Sequence, residues 1–333
     1  MHRPAARAIV AALAGATLLL TACAPTSGNS GSGNSAGAGD GIVEVVASTS
    51  VYGDIVSSIG ADKVRVTSII TRTSQDPHSY EATTQDKLAV SKAELVIENG
   101  GGYDDFIHKL AGDTGLDRGN VLNAVELSGL APEETAGPSA TANAANAATA
   151  AADGHGSTPA GFNEHVWYSP PAMARLADAV AAKLGELEPS SAETFRSNAA
   201  AFKESLGGLD ARLAGIKAST GAAPVAVTEP VPLYLLEAAG LENQTPDEYT
   251  AAIEEDTDVP PAVLKATTDL MGAGNIRLLA YNQQTEGPQT VAVKDAAAAA
   301  GVPVVDFSET LPEGKPYLQW MTDNVENIGK ALA

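Results

Sequence analysis

The sequence contains very little cysteine, aromatic residue or basic charge, and each shortage excludes a class of protein. A single cysteine among 333 residues excludes an intrachain disulfide and a cysteine-based zinc site, so any metal has to be bound by histidine and carboxylate side chains. With 20 Lys+Arg against 41 Asp+Glu and a formal charge of −21, the chain has no basic tract suited to nucleic-acid phosphates. Aromatic residues make up only 5% of the chain, which favours modest helices over an aromatic-rich β-sandwich.

The apolar run near the N-terminus is too short to cross a bilayer. It covers residues 8–20 and follows Arg3 and Arg7, whereas a transmembrane helix needs about 20 apolar residues. The run ends in the letters LTAC, in which small residues precede Cys23, and this resembles a bacterial lipobox. The alternative is an ordinary secretory peptide with an incidental cysteine. We therefore expect residues 1–22 to be a lipoprotein signal peptide and Cys23 to carry the lipid that anchors the protein outside the cytoplasm.

Two segments are too poor in large apolar residues to fold into a core. Residues 23–41 are rich in Gly, Ser and Asn, a composition typical of a flexible tether. Residues 131–161 are rich in Ala, Gly, Asn, Ser and Thr and predict a low-complexity loop that interrupts the fold.

The remaining sequence alternates between strand-like and helix-like patterns. Each half contains three short β-branched or apolar runs that predict strands, at residues 42–48, 64–70, 94–98, 224–228, 276–281 and 302–307. Strands that alternate with helical stretches indicate βαβ units and parallel sheets. We expect two similar α/β lobes with mostly parallel sheets, one at residues 42–189 and one at residues 219–333.

An unusually regular apolar seam lies between the two predicted lobes. The residues of this seam recur at alternating spacings of four and three, which indicates one face of a long helix. They are Phe195, Ala199, Phe202, Leu206, Leu209, Leu213 and Ile216. A single helix joining the lobes would make their hinge stiff. Periodicity alone also allows an ordinary amphipathic helix inside one lobe.

Four polar residues occupy the positions where α/β proteins bind ligands, beyond the carboxyl ends of strands. His78 follows the second predicted strand in a turn that Pro77 stiffens, and His165 precedes a predicted helix. Glu229 and Glu309 follow strands of the second half. Singly, each has an ordinary alternative: a surface histidine, or a glutamate favoured by a helix N-terminus. Together, two imidazoles and two carboxylates suit Mn²⁺, Fe²⁺ or Zn²⁺.

The order of several short motifs resembles the solute-binding lipoproteins of zinc- and manganese-type ABC importers, also called the metal-binding-receptor or adhesin lipoprotein family. The motifs are VVAS at 45–48, DPHSYE at 76–81, NG at 99–100, HVW at 165–167 and GK at 314–315. The resemblance implies two α/β lobes joined by one long helix, which we place at residues 190–218, and a metal site between the lobes.

The resemblance also implies the ligands of that site. His78 and His165 match the family's two histidines of the first lobe. Glu229 stands where manganese-type members have glutamate and zinc-type members usually have histidine, and Glu309 stands where the family often has aspartate. The long loop contains only His155, instead of the histidine-rich loop frequent in zinc-type members. Manganese is thus slightly favoured over zinc as the cargo, with iron less favoured.

The function implied is capture and delivery, not catalysis. A lipid-anchored monomer would bind the ion outside the cytoplasm and pass it to a membrane permease driven by a cytoplasmic ATPase. Two other classes stay open from the residues alone. One is a metal-dependent hydrolase, although no His-Glu-x-x-His motif is present. The other is a surface adhesin with a purely structural metal.

Overall fold

The two halves of the chain form parallel sheets with the same strand order. The computed structural model describes residues 41–131 and 161–333. The strands of the first sheet are β1 (Val43–Thr49), β2 (Val64–Ile70), β3 (Leu95–Glu98) and β4 (Val121–Asn123), and their spatial order is β2-β1-β3-β4. The strands of the second sheet are β5 (Ala223–Val227), β6 (Leu241–Asn243), β7 (Leu279–Asn282) and β8 (Val304–Phe307), in the order β6-β5-β7-β8.

Helices connect the parallel strands and cover both sheets. Those of the first half are α1 (Ser50–Gly60), α2 (Thr84–Val90), α3 (Asp105–Thr114), α4 (Ala124–Ser128) and α5 (Pro170–Leu187). The helix between the halves is α6 (Ala192–Thr220). Those of the second half are α7 (Leu233–Ala238), α8 (Asp247–Glu254), α9 (Pro261–Gly272), α10 (Pro288–Ala300) and α11 (Tyr317–Leu332).

The edge strands β4 and β6 were not expected from the sequence, which predicts the other six. Each has only three residues, VLN and LEN. A strand this short shows no alternation of apolar and polar residues, so its pairing with the neighbouring strand is what makes it recognisable.

The long helix α6 joins the two lobes, as the apolar seam indicates. It has 29 residues, or about 44 Å at 1.5 Å per residue, and begins and ends two residues later than the range 190–218 placed from the sequence. Its buried residues are those of the seam except Ile216, which is partly exposed. The helix packs against α5 and α1 on one lobe and α11 on the other.

One hydrophobic cluster runs through both lobes. It contains Trp167 and Phe195 from the first part of the chain together with Tyr317 and Trp320 from α11. Because apolar contacts continue across the junction, movement of one lobe against the other would expose buried surface. The predicted fold class, two α/β lobes with parallel sheets joined by one long helix, is confirmed.

Several predicted features lie outside the described residues. They are the signal peptide at 1–22, the lipidated Cys23, nearly all of the tether at 23–41 and all of the loop at 131–161 except its end residues. Within the part of the chain that the structure describes, no helix is long and apolar enough to span a membrane.

Two glycines in the middle of α6 allow a test of this helix. Gly207 and Gly208 are exposed, and an added Cβ would meet no atom within 4 Å at either position. Alanine restricts the unfolded chain and favours the helix, so Gly207→Ala and Gly208→Ala should each raise the free energy of unfolding by about 1 kcal/mol. Urea denaturation of the purified protein measures the change.

Gly240 provides the opposite control. Its φ of +74° lies in the left-handed region, and an added Cβ would come within 2.5 Å of Lys217 Cγ. Gly240→Ala should therefore lower the free energy of unfolding, whereas equal effects at all three glycines would contradict the assignment of Gly207 and Gly208 to a regular helix.

Candidate metal centre

A cavity of about 520 Å³ lies between the lobes, at the carboxyl ends of the strands. All four residues singled out in the sequence line it: His78, His165, Glu229 and Glu309. The cavity is rich in acidic groups, and none of its described lining residues is a lysine or an arginine.

A tight turn after β2 presents His78. The carboxylate of Asp76 accepts hydrogen bonds from the His78 backbone N–H at 3.0 Å and from Ser79 Oγ at 2.6 Å, an arrangement typical of Asx turns. The imidazole packs edge-on against the ring of Tyr103, with the centroids 5.0 Å apart. Its side chain is 30% exposed, so it lies at the solvent side of the cavity.

Asn163 fixes the orientation of the second histidine. Its Oδ1 accepts hydrogen bonds from the His165 backbone N–H at 3.1 Å and from His165 Nδ1 at 2.8 Å, while its Nδ2 donates to the Pro230 carbonyl at 3.0 Å. Because backbone N–H groups only donate and carbonyls only accept, the amide orientation is set, and Nδ1 must carry the proton. The lone pair of His165 therefore lies on Nε2, the atom available to a metal ion.

The two glutamates of the second lobe share one amide partner. Asn282, at the end of β7, donates from Nδ2 to Glu309 Oε1 at 2.8 Å and also to Glu229 Oε2. Tyr103 of the first lobe donates to Glu309 Oε2 at 3.2 Å, and Thr285 donates to Glu229 Oε2 at 2.6 Å. These bonds hold both carboxylates in place inside the cavity.

Three of the four predicted residues converge most closely. Potential ligand atoms of His78, His165 and Glu309 all lie within 4.8 Å of one another. Glu229 lines the same cavity but does not belong to this group, and the hydrogen bonds described for its carboxylate both fall on Oε2. Two imidazole nitrogens and a carboxylate oxygen form a donor set that Mn²⁺, Fe²⁺ and Zn²⁺ all accept.

Two further acids at this site were not expected from the sequence. Potential ligand atoms of Glu164, His165 and Glu254 also lie within 4.8 Å of one another. Glu164 could have been suspected from its position beside His165. Glu254 is the last residue of α8 and belongs to the acidic run 254–256, a pattern typical of a solvated surface, so its sequence context carried no signal of a site.

Burial changes the protonation of these groups in the metal-free protein. Desolvation raises the pKa of Glu309 to about 7 and, with the nearby charge of Glu309 as a further cause, that of Glu229 to about 8. Desolvation likewise raises the pKa of Glu164 to about 7 and that of Glu254 to about 9. The pKa of His165 is lowered to about 3, again mainly by burial. A divalent cation would thus meet neutral imidazoles and displace protons from the carboxyl groups.

The chain matches one known protein family over most of its length. The family model of ZnuA, zinc-uptake complex component A, periplasmic, matches residues 45–331. The chain is similar to the manganese-binding lipoprotein MntA of Bacillus subtilis, with 30% identity over 61% of this chain and 56% of that protein. It thus spans little more than half the length of MntA.

Other relatives match over nearly their full length. The metal ABC transporter substrate-binding lipoprotein ScbA of Streptococcus cristatus is 25% identical over 95% of this chain and 97% of that protein. The solved structure of the periplasmic zinc binding protein TroA from Treponema pallidum matches with a TM-score of 0.65 and 21% identity, over 88% of this chain and 100% of that chain. At this level of identity the structural match shows a shared fold.

The raised carboxyl pKa values predict how the stability of the metal-free protein depends on pH. Between pH 7.5 and 9 the histidines are almost entirely neutral in both states, because unfolded histidine has a pKa of about 6.5 and burial lowers the pKa of His78 and His165 in the folded state. Glu229 and Glu309 keep protons in the folded state up to about pH 8 and 7, whereas unfolded glutamate is ionised. The folded state binds more protons, so its free energy of unfolding should fall as pH rises through this window.

Urea denaturation of chelator-treated protein at pH 7.5 and pH 9 measures this fall. Glu229→Gln removes one of the titrating groups and should make the fall smaller. A stability that rises over the same interval would contradict the buried, protonated carboxyls.

The tautomer of His165 can be tested through Asn163. Asn163→Ala removes the acceptor for Nδ1–H, and loss of such an orienting partner typically weakens metal binding about 10–100-fold. Asn198→Ala is the matched control, because this amide donates to the Ile59 carbonyl at 2.9 Å and does not line the cavity. Calorimetric titration with Mn²⁺ and Zn²⁺ measures both variants, and equal affinities would show that Asn163 does not orient the ligand.

Proposed function

This chain belongs to the ZnuA family, the zinc-uptake complex component A proteins, and we propose that it captures a divalent transition-metal ion and delivers it to an ABC permease. The observation that carries the proposal is the convergence of His78, His165 and Glu309, within 4.8 Å, in a cavity between the lobes. In this proposal Glu229 completes the ligand set from the same cavity. The ion is cargo, and the protein acts by binding and release rather than by catalysis.

Manganese is the slightly favoured cargo, ahead of zinc and iron. The cavity offers several carboxylate oxygens beside two imidazoles, and hard oxygen donors suit Mn²⁺. The names of the relatives do not agree on the metal, since MntA is called manganese-binding and TroA zinc binding. Zn²⁺ binds most such sites more tightly than Mn²⁺, so the proposal is a site that accepts Mn²⁺ without excluding Zn²⁺.

The proposed setting is the outer face of the bacterial cell membrane. The lipobox at Cys23 and the tether at 23–41 would hold a monomeric receptor near its permease, and a cytoplasmic ATPase would drive transport. ScbA and MntA are both named as lipoproteins, which supports this arrangement. The core shared by both lobes favours release through local rearrangement of the loops that carry Glu229 and Glu309.

The ligand assignment predicts a large difference between two glutamate substitutions. Glu309→Gln, at a buried position, should weaken Mn²⁺ and Zn²⁺ binding by about 100-fold or more, since loss of an orienting partner alone costs up to that amount. Glu242→Gln, at an exposed position of β6, is the matched control and should bind like the wild type. Calorimetric titration under Mn²⁺/Zn²⁺ competition measures both variants.

A wild-type protein with no measurable affinity for either ion would contradict the proposed function. Affinity for Zn²⁺ alone would contradict only the manganese assignment. In cells, loss of metal uptake on gene deletion, restored by the wild type but not by the doubly substituted His78→Ala, His165→Ala protein, would separate transport from a purely structural role of the metal.

A further inference from the structure

A second group of potential ligands adjoins the first and shares one histidine with it. Glu164 and His165 from the first lobe and Glu254 from the second lobe place ligand atoms within 4.8 Å of one another. Glu254 Oε1 lies 3.8 Å from His165 Nδ1, the nitrogen that carries the proton, so an ion held by this group would bind His165 through Nε2. Neither glutamate belongs to the ligand set proposed above.

One carboxylate oxygen of this group has no hydrogen-bond donor to satisfy it within the described residues. Glu254 Oε1 is buried and has no hydrogen-bond partner. Glu164 is only 8% exposed, and the neutral imidazole of His78 places its Nε2 3.7 Å from Glu164 Oε1. Buried carboxylate oxygens without donors are costly. A cation between them would supply the missing partner.

The shared histidine makes the two groups alternatives. A neutral imidazole has one nitrogen lone pair, so His165 serves one metal ion at a time. An ion bound by Glu164, His165 and Glu254 therefore excludes an ion bound by His78, His165 and Glu309. The two groups describe two positions for one ion, not a site for two ions.

The surroundings of Glu254 connect this second position with solvent. Beyond the end of α8 at Glu254, the lining of the cavity continues along Asp256, Thr257 and Asp258, and all three are exposed. Acidic side chains along an opening attract cations towards it. An ion arriving along this segment reaches Glu254 before it reaches Glu309, which is buried.

We propose that Glu164, His165 and Glu254 form a second, transient position that the cargo ion occupies on its way between solvent and the position at His78, His165 and Glu309. The ion would remain bound to His165 while it exchanges the oxygens of Glu164 and Glu254 for His78 and Glu309. This inference rests on the proposed function. It assigns to Glu164 and Glu254 a role in the rates of binding and release.

Rates of Mn²⁺ binding and release by the purified full chain test this role. Trp167 packs against the His165 ring with the centroids 5.1 Å apart, so tryptophan fluorescence reports on the site. Stopped-flow mixing with Mn²⁺ gives the association rate, and mixing of loaded protein with excess EDTA gives the release rate. Glu254→Gln and Glu164→Gln preserve side-chain size, and Glu255→Gln, at the exposed neighbouring position, is the matched control. Thermal unfolding checks that each variant is folded.

The expected result is a decrease of about tenfold in both rate constants for Glu254→Gln and Glu164→Gln, with Glu255→Gln like the wild type. Since Kd is the ratio of the two constants, it should shift far less than in Glu309→Gln. Rates within about twofold of wild type in both variants would overturn the inference. A weaker Kd with an unchanged association rate constant would also overturn it, because Glu254 would then be a ligand of the first position. Wild-type protein that binds neither Mn²⁺ nor Zn²⁺ would instead overturn the proposed function itself.

Discussion

The structure depends on carboxyl groups that are buried between its lobes without a cationic partner among the described residues. Glu229 and Glu309 lie almost completely buried in a cavity whose described lining contains no lysine or arginine. Such carboxyl groups are stable only when protonated or when a cation is bound beside them. Neutral imidazoles at His78 and His165 add potential ligands without adding competing positive charge. Burying these carboxyl groups therefore costs stability, and a bound divalent metal ion would offset that cost.

Hydrogen bonds from uncharged groups make this arrangement possible. Asn163 sets the tautomer of His165, and Asn282 holds the two glutamates of the second lobe. Tyr103 reaches across from the first lobe to Glu309, so the lobes meet through the proposed ligand set as well as through the apolar core. Amide and phenol donors position the ligands, yet they do not neutralise them as a lysine would. This combination leaves the carboxylates available to the metal ion that we propose as cargo.

Sequence patterns predicted the features that repeat, and missed those that depend on packing. The apolar seam of α6 and the strand runs follow regular spacings, so the two-lobe fold could be predicted. The edge strand β4 could not, because three residues carry no periodicity. His78 and His165 stood out beside proline and in a recognisable motif, whereas Glu254 belongs to a run of acids that reads as solvated surface. That Glu254 faces the cavity is visible only in the structure, where the end of α8 approaches His165 of the first lobe.

The most direct test of the central claim is the position of the ion itself. In a crystal of Mn²⁺-loaded protein, anomalous diffraction at the manganese edge locates the metal independently of the protein atoms. The account predicts one dominant peak between the lobes, at bonding distance of about 2.0–2.3 Å from His78, His165 and Glu309. A dominant peak elsewhere on the protein, or none between the lobes in fully loaded crystals, would contradict the claim that the buried charge exists to bind this cargo.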